Sequence, residues 1–432
     1  RISANTEERT SDYFKHTILV KRSAIGGIIM KKVLAIILAV LMLASFASLA
    51  ACGEKKEEAN NNAVDGENTA ADTVYIGVYE PQSGDNGAGG KQEILGMQYA
   101  NYVQPTVEIG GKTYNVELVY ADNESSTDKA VSAATKLVGA GCSVILGSYG
   151  SSVAIAAGPT FEEAGIPAIG VTCTNPQVTD GNDYYFRICF LDPFQGTVDA
   201  NYAYEKLGAR TVYCLGQLGN DYDQGLINYF VKAAEDLGME VITESFPENN
   251  SDFTSYLTNA KNAGAEAIFA PCSLSYAQLI IEQAAAQGIN IPLLAGDTWD
   301  SNVILSAAAG KDLSIYVSTF YQEGADPEFE EGIKAWINSN ADAKANNGGD
   351  DTIAAVTVMG YDAYFTALEA LKNAGTTDAG AVRDALVDTV YTGITGEIKF
   401  DDIGDAMRDT AYIKVANTET GAWDFAAVQG VK

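Results

Sequence analysis

The chain has 432 residues, with 27 lysines and arginines against 57 aspartates and glutamates, for a formal charge of −30. An excess of that sign excludes a nucleic-acid partner, which needs a basic footprint. The single histidine, His16, falls in a segment expected to be missing from the folded product. Histidine is therefore removed as general base and as metal ligand, which excludes a Ser-His-Asp hydrolase. No cofactor and no metal site are expected.

The chain order opens on a targeting pattern. Met30 is followed by Lys31 and Lys32, then by an apolar run from Val33 to Ala51, then by Cys52. A short basic region, an apolar region and small residues before a processing point describe a signal peptide, here 30–51. A membrane span with a cytoplasmic tail is the weaker alternative, because small residues crowd the distal half of the run. Residues 1–29 are expected to be an upstream segment mistranslated ahead of a true start at Met30. Gly26–Gly27 fits that reading, since GGA-GGN is part of a ribosome-binding sequence. The run ends Leu49-Ala50-Ala51-Cys52, which resembles a bacterial lipoprotein box and implies acylation of Cys52. Residues 52–71 lack apolar periodicity and read as a flexible tether. The folded part is expected to start near Asp72, outside the cytoplasm, held to the outer face of the cell membrane by lipid.

About 360 residues exceed one core, so two lobes are expected. From Thr73 onward, short β-branched runs alternate with segments of helical period. The strand-like runs are centred on Ile76, Val116, Ile145, Ala168, Phe186, Tyr213, Val241, Ile268, Leu294 and Tyr316. Helices are read at Ser126–Ala140, Leu226–Leu237 and Tyr276–Gln287, several ending in glycine as a C-cap: Gly139, Gly165, Gly238, Gly264 and Gly288. Strand-helix-strand repetition implies α/β lobes with parallel sheets wound on both faces. Gly84–Gln92 looks like a phosphate loop, but Asp85 stands where its first glycine belongs and Gln92 replaces the Ser or Thr that would hold Mg²⁺. It is read as a glycine-rich turn into a helix starting near Lys91. After Cys52 the cysteines are Cys142, Cys173, Cys189, Cys214 and Cys272. An odd number with no CxxC argues against a disulfide framework, and most sit in apolar runs as small buried thiols.

The block ILGSYGSSVAIAAGPTFEEAGIPAIGVTCTNPQVT, together with IGVYEPQSGDNGAGGKQEILGMQYA, LVYADNESSTDKAVSAATKLV, YYFRICFLDPFQG, DYDQG and LLAGDTWDS, resembles the branched-chain amino acid binding proteins. These are the type I solute-binding proteins of ABC importers, and the similarity runs from about Thr73 to Gly430. The resemblance implies two doubly wound lobes joined by three crossovers, with ligand in the cleft between them. It puts one lobe at 72–192 plus 319–402 and the other at 193–318 plus 403–432. It also implies that Ser151 and the loop positions Thr172, Cys173 and Thr174 hold the ligand's α-carboxylate. Independently, a helix starting at Ser151 offers free N–H groups and a positive partial charge, and the two threonines add hydroxyl donors. The plain alternative for Ser151 is an N-cap, and Cys173 is as well read as structural.

The resemblance assigns the ammonium to Asp297, a carboxylate at the end of an apolar strand. The competing reading makes Asp297 or Asp300 an N-cap for the following helix. Tyr222 matches an aromatic of the second lobe, with a core tyrosine as the alternative, and Tyr276 and Trp299 are further wall candidates. The chain departs from the family where an aromatic gives way to Gly89 and a tyrosine to Ser273. It has no cysteine at Ser125 or Gly150, where the leucine-binding relative has a disulfide. Backbone recognition is thus kept while the side-chain pocket is altered, toward a more polar, larger or aromatic amino acid than leucine.

The sequence is accordingly read as a lipid-anchored, monomeric solute-binding protein, not an enzyme. It captures an amino acid, branched-chain or other apolar or aromatic, for an ABC permease and ATPase. The rival is a receptor lipoprotein of the same fold that signals occupancy without transport.

Overall fold

A computed structural model describes residues 72–430. The expected upstream segment, signal peptide, tether and acylated Cys52 all lie outside those residues.

Strand β1 (Asp72–Glu80) enters a sheet between β3 (Lys112–Asp122) and β4 (Val144–Leu146), parallel to both. Beyond β4 come β5 (Ala168–Gly170) and β6 (Tyr185–Arg187), also parallel. On the other side, β2 (Thr106–Ile109) pairs antiparallel with β3, giving the order β2-β3-β1-β4-β5-β6. The short central strands are buried throughout, as strands covered on both faces must be. Helices α1 (Gly87–Val103), α2 (Thr127–Gly139) and α3 (Ser151–Ala164) supply the crossovers.

Helix α4 (Asp192–Glu205) leads to a second sheet. Its parallel centre is β7 (Thr211–Gln217), β8 (Glu240–Phe246), β9 (Ala267–Phe269), β10 (Leu293–Ala295) and β11 (Ile315–Thr319). Helices α5 (Asp221–Asp236), α6 (Thr254–Asn262), α7 (Leu274–Ala286) and α8 (Asn302–Ala308) connect them. After β11 the chain returns to the first lobe through α9 (Pro327–Ser339), α10 (Ala341–Asn346), α11 (Ala355–Ala374), α12 (Ala379–Val387) and the hairpin β12 (Val390–Gly393)–β13 (Gly396–Lys399). It then crosses back to add β14 (Ala411–Asn417) and β15 (Ala422–Gln429) antiparallel at one edge, so the second sheet runs β15-β14-β11-β10-β9-β7-β8. Two doubly wound α/β lobes joined by three crossovers are therefore present.

Helix α1 begins at Gly87, four residues earlier than its sequence suggested. The early start is possible because glycine lets the turn lie against backbone: a Cβ on Gly90 would stand 2.0 Å from the Pro81 carbonyl oxygen. Farther along, α1 and α11 approach through facing glycines. A Cβ on Gly96 would meet the Thr357 carbonyl oxygen at 1.8 Å, and one on Gly360 the Glu93 carbonyl oxygen at 2.2 Å. Ser301, and neither Asp297 nor Asp300, caps α8, accepting from the Val303 amide at 3.3 Å. Asp300 is instead a buried ion-pair partner of Lys414 at 2.9 Å. The five cysteines among the described residues are buried free thiols.

Candidate functional site

Where the two lobes face each other there is a cavity of about 530 Å³. Its walls come from the segments that follow β1, β3, β4 and β5 in one lobe and β7, β8, β9 and β10 in the other. These are the carboxyl ends of parallel strands, where doubly wound sheets bind ligands.

The first wall is built around α3. Gly150 precedes the helix at φ 125°, a value only glycine takes readily, so the helix starts without a side-chain cap and with free N–H groups. Ser151 begins it. Its Oγ accepts from the Asn175 amide at 3.1 Å, which leaves the hydroxyl proton available to an anion. Beside it runs the loop after β5. Arg187, fully buried, donates through Nη1 to the Cys173 carbonyl at 3.0 Å and to that of Asn175, and its Nε and Nη2 reach Asp405 at 2.5 and 3.0 Å. In a trans peptide the N–H lies opposite the C=O. Pulling the Cys173 carbonyl to Arg187 therefore turns the Thr174 N–H the other way.

Beneath this wall lies a pair of buried carboxyls. Glu80, at the last position of β1, accepts from the Tyr149 amide at 2.6 Å, and Glu93 of α1 is bonded to the Thr172 hydroxyl. Burial pushes Glu93 up to about 8 and Glu80 well above the carboxylate range, each raised further by an acidic neighbour. Protons are therefore held behind the wall at neutral pH.

The second wall carries Asp297, which starts a single 3₁₀ turn, Asp297–Trp299, just after β10. Its Oδ1 accepts from Gln195 Nε2 at 3.0 Å and from the Tyr222 hydroxyl at 3.3 Å, while among the described residues Oδ2 has no donor. It is 2% exposed, and burial pushes it up to about 7 against those two hydrogen bonds. A buried, half-satisfied carboxyl facing a cavity has the chemistry to accept a cation that brings hydrogen-bond donors.

The lobes also touch directly. The Tyr149 hydroxyl donates to the Thr298 carbonyl at 2.7 Å, the Asp221 amide to Ser152 Oγ at 2.9 Å, and Asn175 Nδ2 to the Asp221 carbonyl at 2.8 Å.

The structure brings Ser151, Thr172, Tyr222 and Asp297 to the cavity. It does not bring the other four. Cys173 and Thr174 are fully buried behind Thr172. Trp299 sits in the second lobe's core, donating Nε1 to the Cys272 carbonyl at 2.9 Å. Tyr276 packs edge-on to Phe246 and accepts from the Asn249 amide at 3.1 Å, so it braces a rim loop from below. The rings of Trp299 and Tyr276 pack among the apolar side chains of the second lobe's core, which is what large aromatics after short buried strands favour.

Tyr149, Glu80, Glu93, Arg187 and Gln195 were not singled out by sequence reasoning. Glu80 carried a signal, an acid ending an otherwise apolar strand. Tyr149 carried a second one in Gly89, because a Cβ there would lie 2.4–2.8 Å from the Tyr149 ring.

The match to a family model described as "Periplasmic binding protein" covers residues 73–420. The chain belongs to that family. It is similar to Leu/Ile/Val-binding protein homolog 1 of Brucella abortus (27% identity over 340 residues, 77% of this chain and 87% of the relative). It is also similar to an amino acid binding protein of Pseudomonas aeruginosa (28% identity, 81% and 90%). Among solved structures, a leucine binding protein of Thermotoga maritima superposes with TM-score 0.74 at 30% identity, over 83% of this chain and 99% of that one. A branched-chain amino acid transporter substrate binding protein of Streptococcus pneumoniae, solved with isoleucine, gives 0.71 at 27%, over 83% and 99%. Family and fold are thus those of the solute-binding proteins of ABC transporters. Among the described residues no helix is long and apolar enough to cross a membrane.

Proposed function

We propose that this chain captures an α-amino acid as a zwitterion between its lobes, outside the cytoplasm, and delivers it to an ABC permease without catalysing a reaction. The observation that carries this is a pairing across one cavity. The free start of α3 with Ser151 and Thr172 suits a carboxylate, and the open oxygen of Asp297 on the opposite lobe suits an ammonium. Enclosing a zwitterion strips water from both charges, so each needs such a partner. Tyr222 fixes Asp297 in place. The lobes are taken as 72–192 plus 319–402 and 193–318 plus 403–432, closing on ligand by favouring the joined state. Relatives named for leucine, isoleucine, valine or amino acids in general support the α-amino acid.

The test is calorimetry with the twenty amino acids and, for any that bind, with the matching 2-keto acid. Removing one partner of an enclosed charge pair costs about 2–5 kcal/mol, or roughly thirty- to several-thousand-fold in affinity. Asp297→Ala should lose that much, and so should the keto acid on the native protein. A keto acid that binds as tightly as its amino acid overturns the ammonium site. Anchoring through Cys52 is tested separately: Cys52→Ala should move the protein from the membrane to the soluble fraction.

A further inference from the structure

The same cavity has a one-sided charge. Its charged lining residues are Asp85, Glu124, Asp128, Glu248 and Asp297, with no lysine or arginine among them. Lys129 approaches Glu124 at 3.9 Å on the outside, with both side chains half exposed. Asp85, Glu124 and Glu248 stand in the loops after β1, β3 and β8 and Asp128 in the first turn of α2, all at the outer end of the cavity; Asp297 lies deep. The remaining walls are mainly hydroxyls, amides and glycines. Of the aliphatic lining residues, Val153 belongs to the first lobe's core and Leu218 is 67% exposed.

Two deep polar groups point to a ligand in this cavity independently of the acidic mouth. Asp297 Oδ2 has no donor, and Ser273, 4% exposed, has a hydroxyl with no partner among the described residues. A zwitterion seated on Asp297 and the start of α3 neutralises Asp297 alone. The four outer acids then still face the ligand's side chain. An aliphatic side chain there gains little, because it would cover hydroxyls and amides. An anionic one is repelled, while a cationic one is concentrated by the field of the cleft.

Resting on the amino-acid reading above, we propose that the ligand carries a cationic side chain, whose second positive group lies among Asp85, Glu124, Asp128 and Glu248. Each exposed charge pair is worth roughly 1.4- to fivefold in affinity, so the four together give roughly fourfold to several-hundred-fold.

The experiment is calorimetry of the purified protein with L-lysine, L-arginine and L-ornithine against L-norleucine, which keeps the α-groups and an unbranched chain but lacks the cation. The tightest of the three should bind at least about fourfold tighter than norleucine at low salt, and the ratio should shrink at high salt. Glu124→Gln combined with Glu248→Gln, both exposed and outside either core, should lower the ratio by roughly two- to twenty-five-fold. Norleucine binding as tightly as the cations overturns the inference and leaves the zwitterion reading intact. Failure of all twenty amino acids to bind overturns both.

Discussion

The Tyr149 hydroxyl offers a test of the closing motion itself. It is buried, belongs to the first lobe, and donates to the Thr298 carbonyl of the second at 2.7 Å. Its ring lies over Gly89, and the phenyl ring of Tyr149→Phe fills the same space, so packing within the first lobe is kept. In the joined state the variant leaves a buried carbonyl unpaired, at about 1–3 kcal/mol. With the lobes apart that carbonyl is hydrated and nothing is lost. The whole cost therefore falls on the joined state. At about 1.4 kcal/mol per factor of ten, the ligand's Kd should rise roughly five- to 150-fold. Calorimetry reads the Kd. Scattering at saturating ligand should show the same compact radius for both proteins, with more ligand needed to reach it. A Kd within twofold of the native value, with Tyr149→Phe folded, refutes the view that this bond acts as a latch.

Three further outcomes are expected. Gly96→Ala places a methyl 1.8 Å from the Thr357 carbonyl oxygen, so α1 and α11 must separate, and thermal unfolding should show a loss of about 1–3 kcal/mol. Arg187→Met leaves Asp405 and two loop carbonyls buried without their donor, which should cost about 3–5 kcal/mol in chemical denaturation and weaken ligand binding through the displaced 172–175 loop. The ligand-free protein should be more stable at pH 5 than at pH 8. Glu93 and Asp297 are raised to about 8 and about 7, so between pH 4 and 7 the native state holds protons that the unfolded state has released, and stability falls as pH rises through that window.

The fold was legible because its signal is repetitive. Each buried parallel strand reads as a short apolar run, and ten such runs match β1 and β3 to β11. The strands that escaped are of another kind. β2, β12, β13 and the edge strand β15 are exposed at alternate or most positions. β14 hides Lys414 inside, where an ion pair with Asp300 makes burial possible. A lysine in a core strand breaks the apolar pattern, and its partner is 114 residues away. No local window contains both halves of that pair.

The site divides along the same line. Ser151, Thr172, Tyr222 and Asp297 sit at element starts or strand ends, where local pattern and position coincide. Trp299 and Tyr276 sit beside such positions, but which way a side chain turns is settled by what fills the space behind it. Trp299 turns inward because the Cys272 carbonyl accepts its N–H and the core takes its rings. The support layer was least legible, since Glu80, Glu93, Arg187 and Asp405 act only in combination. A buried acid is unfavourable by itself and becomes tolerable when a neighbour shares its proton or an arginine neutralises it. Glu80 and Glu93 meet across the β1–α1 turn, and Arg187 and Asp405 across 218 residues. Both pairs lie directly behind the loops that hold Tyr149, Thr172 and Thr174. Loops whose hydroxyls and N–H groups are to stay aimed into a cavity need rigid backing, and here paired buried polar groups supply it.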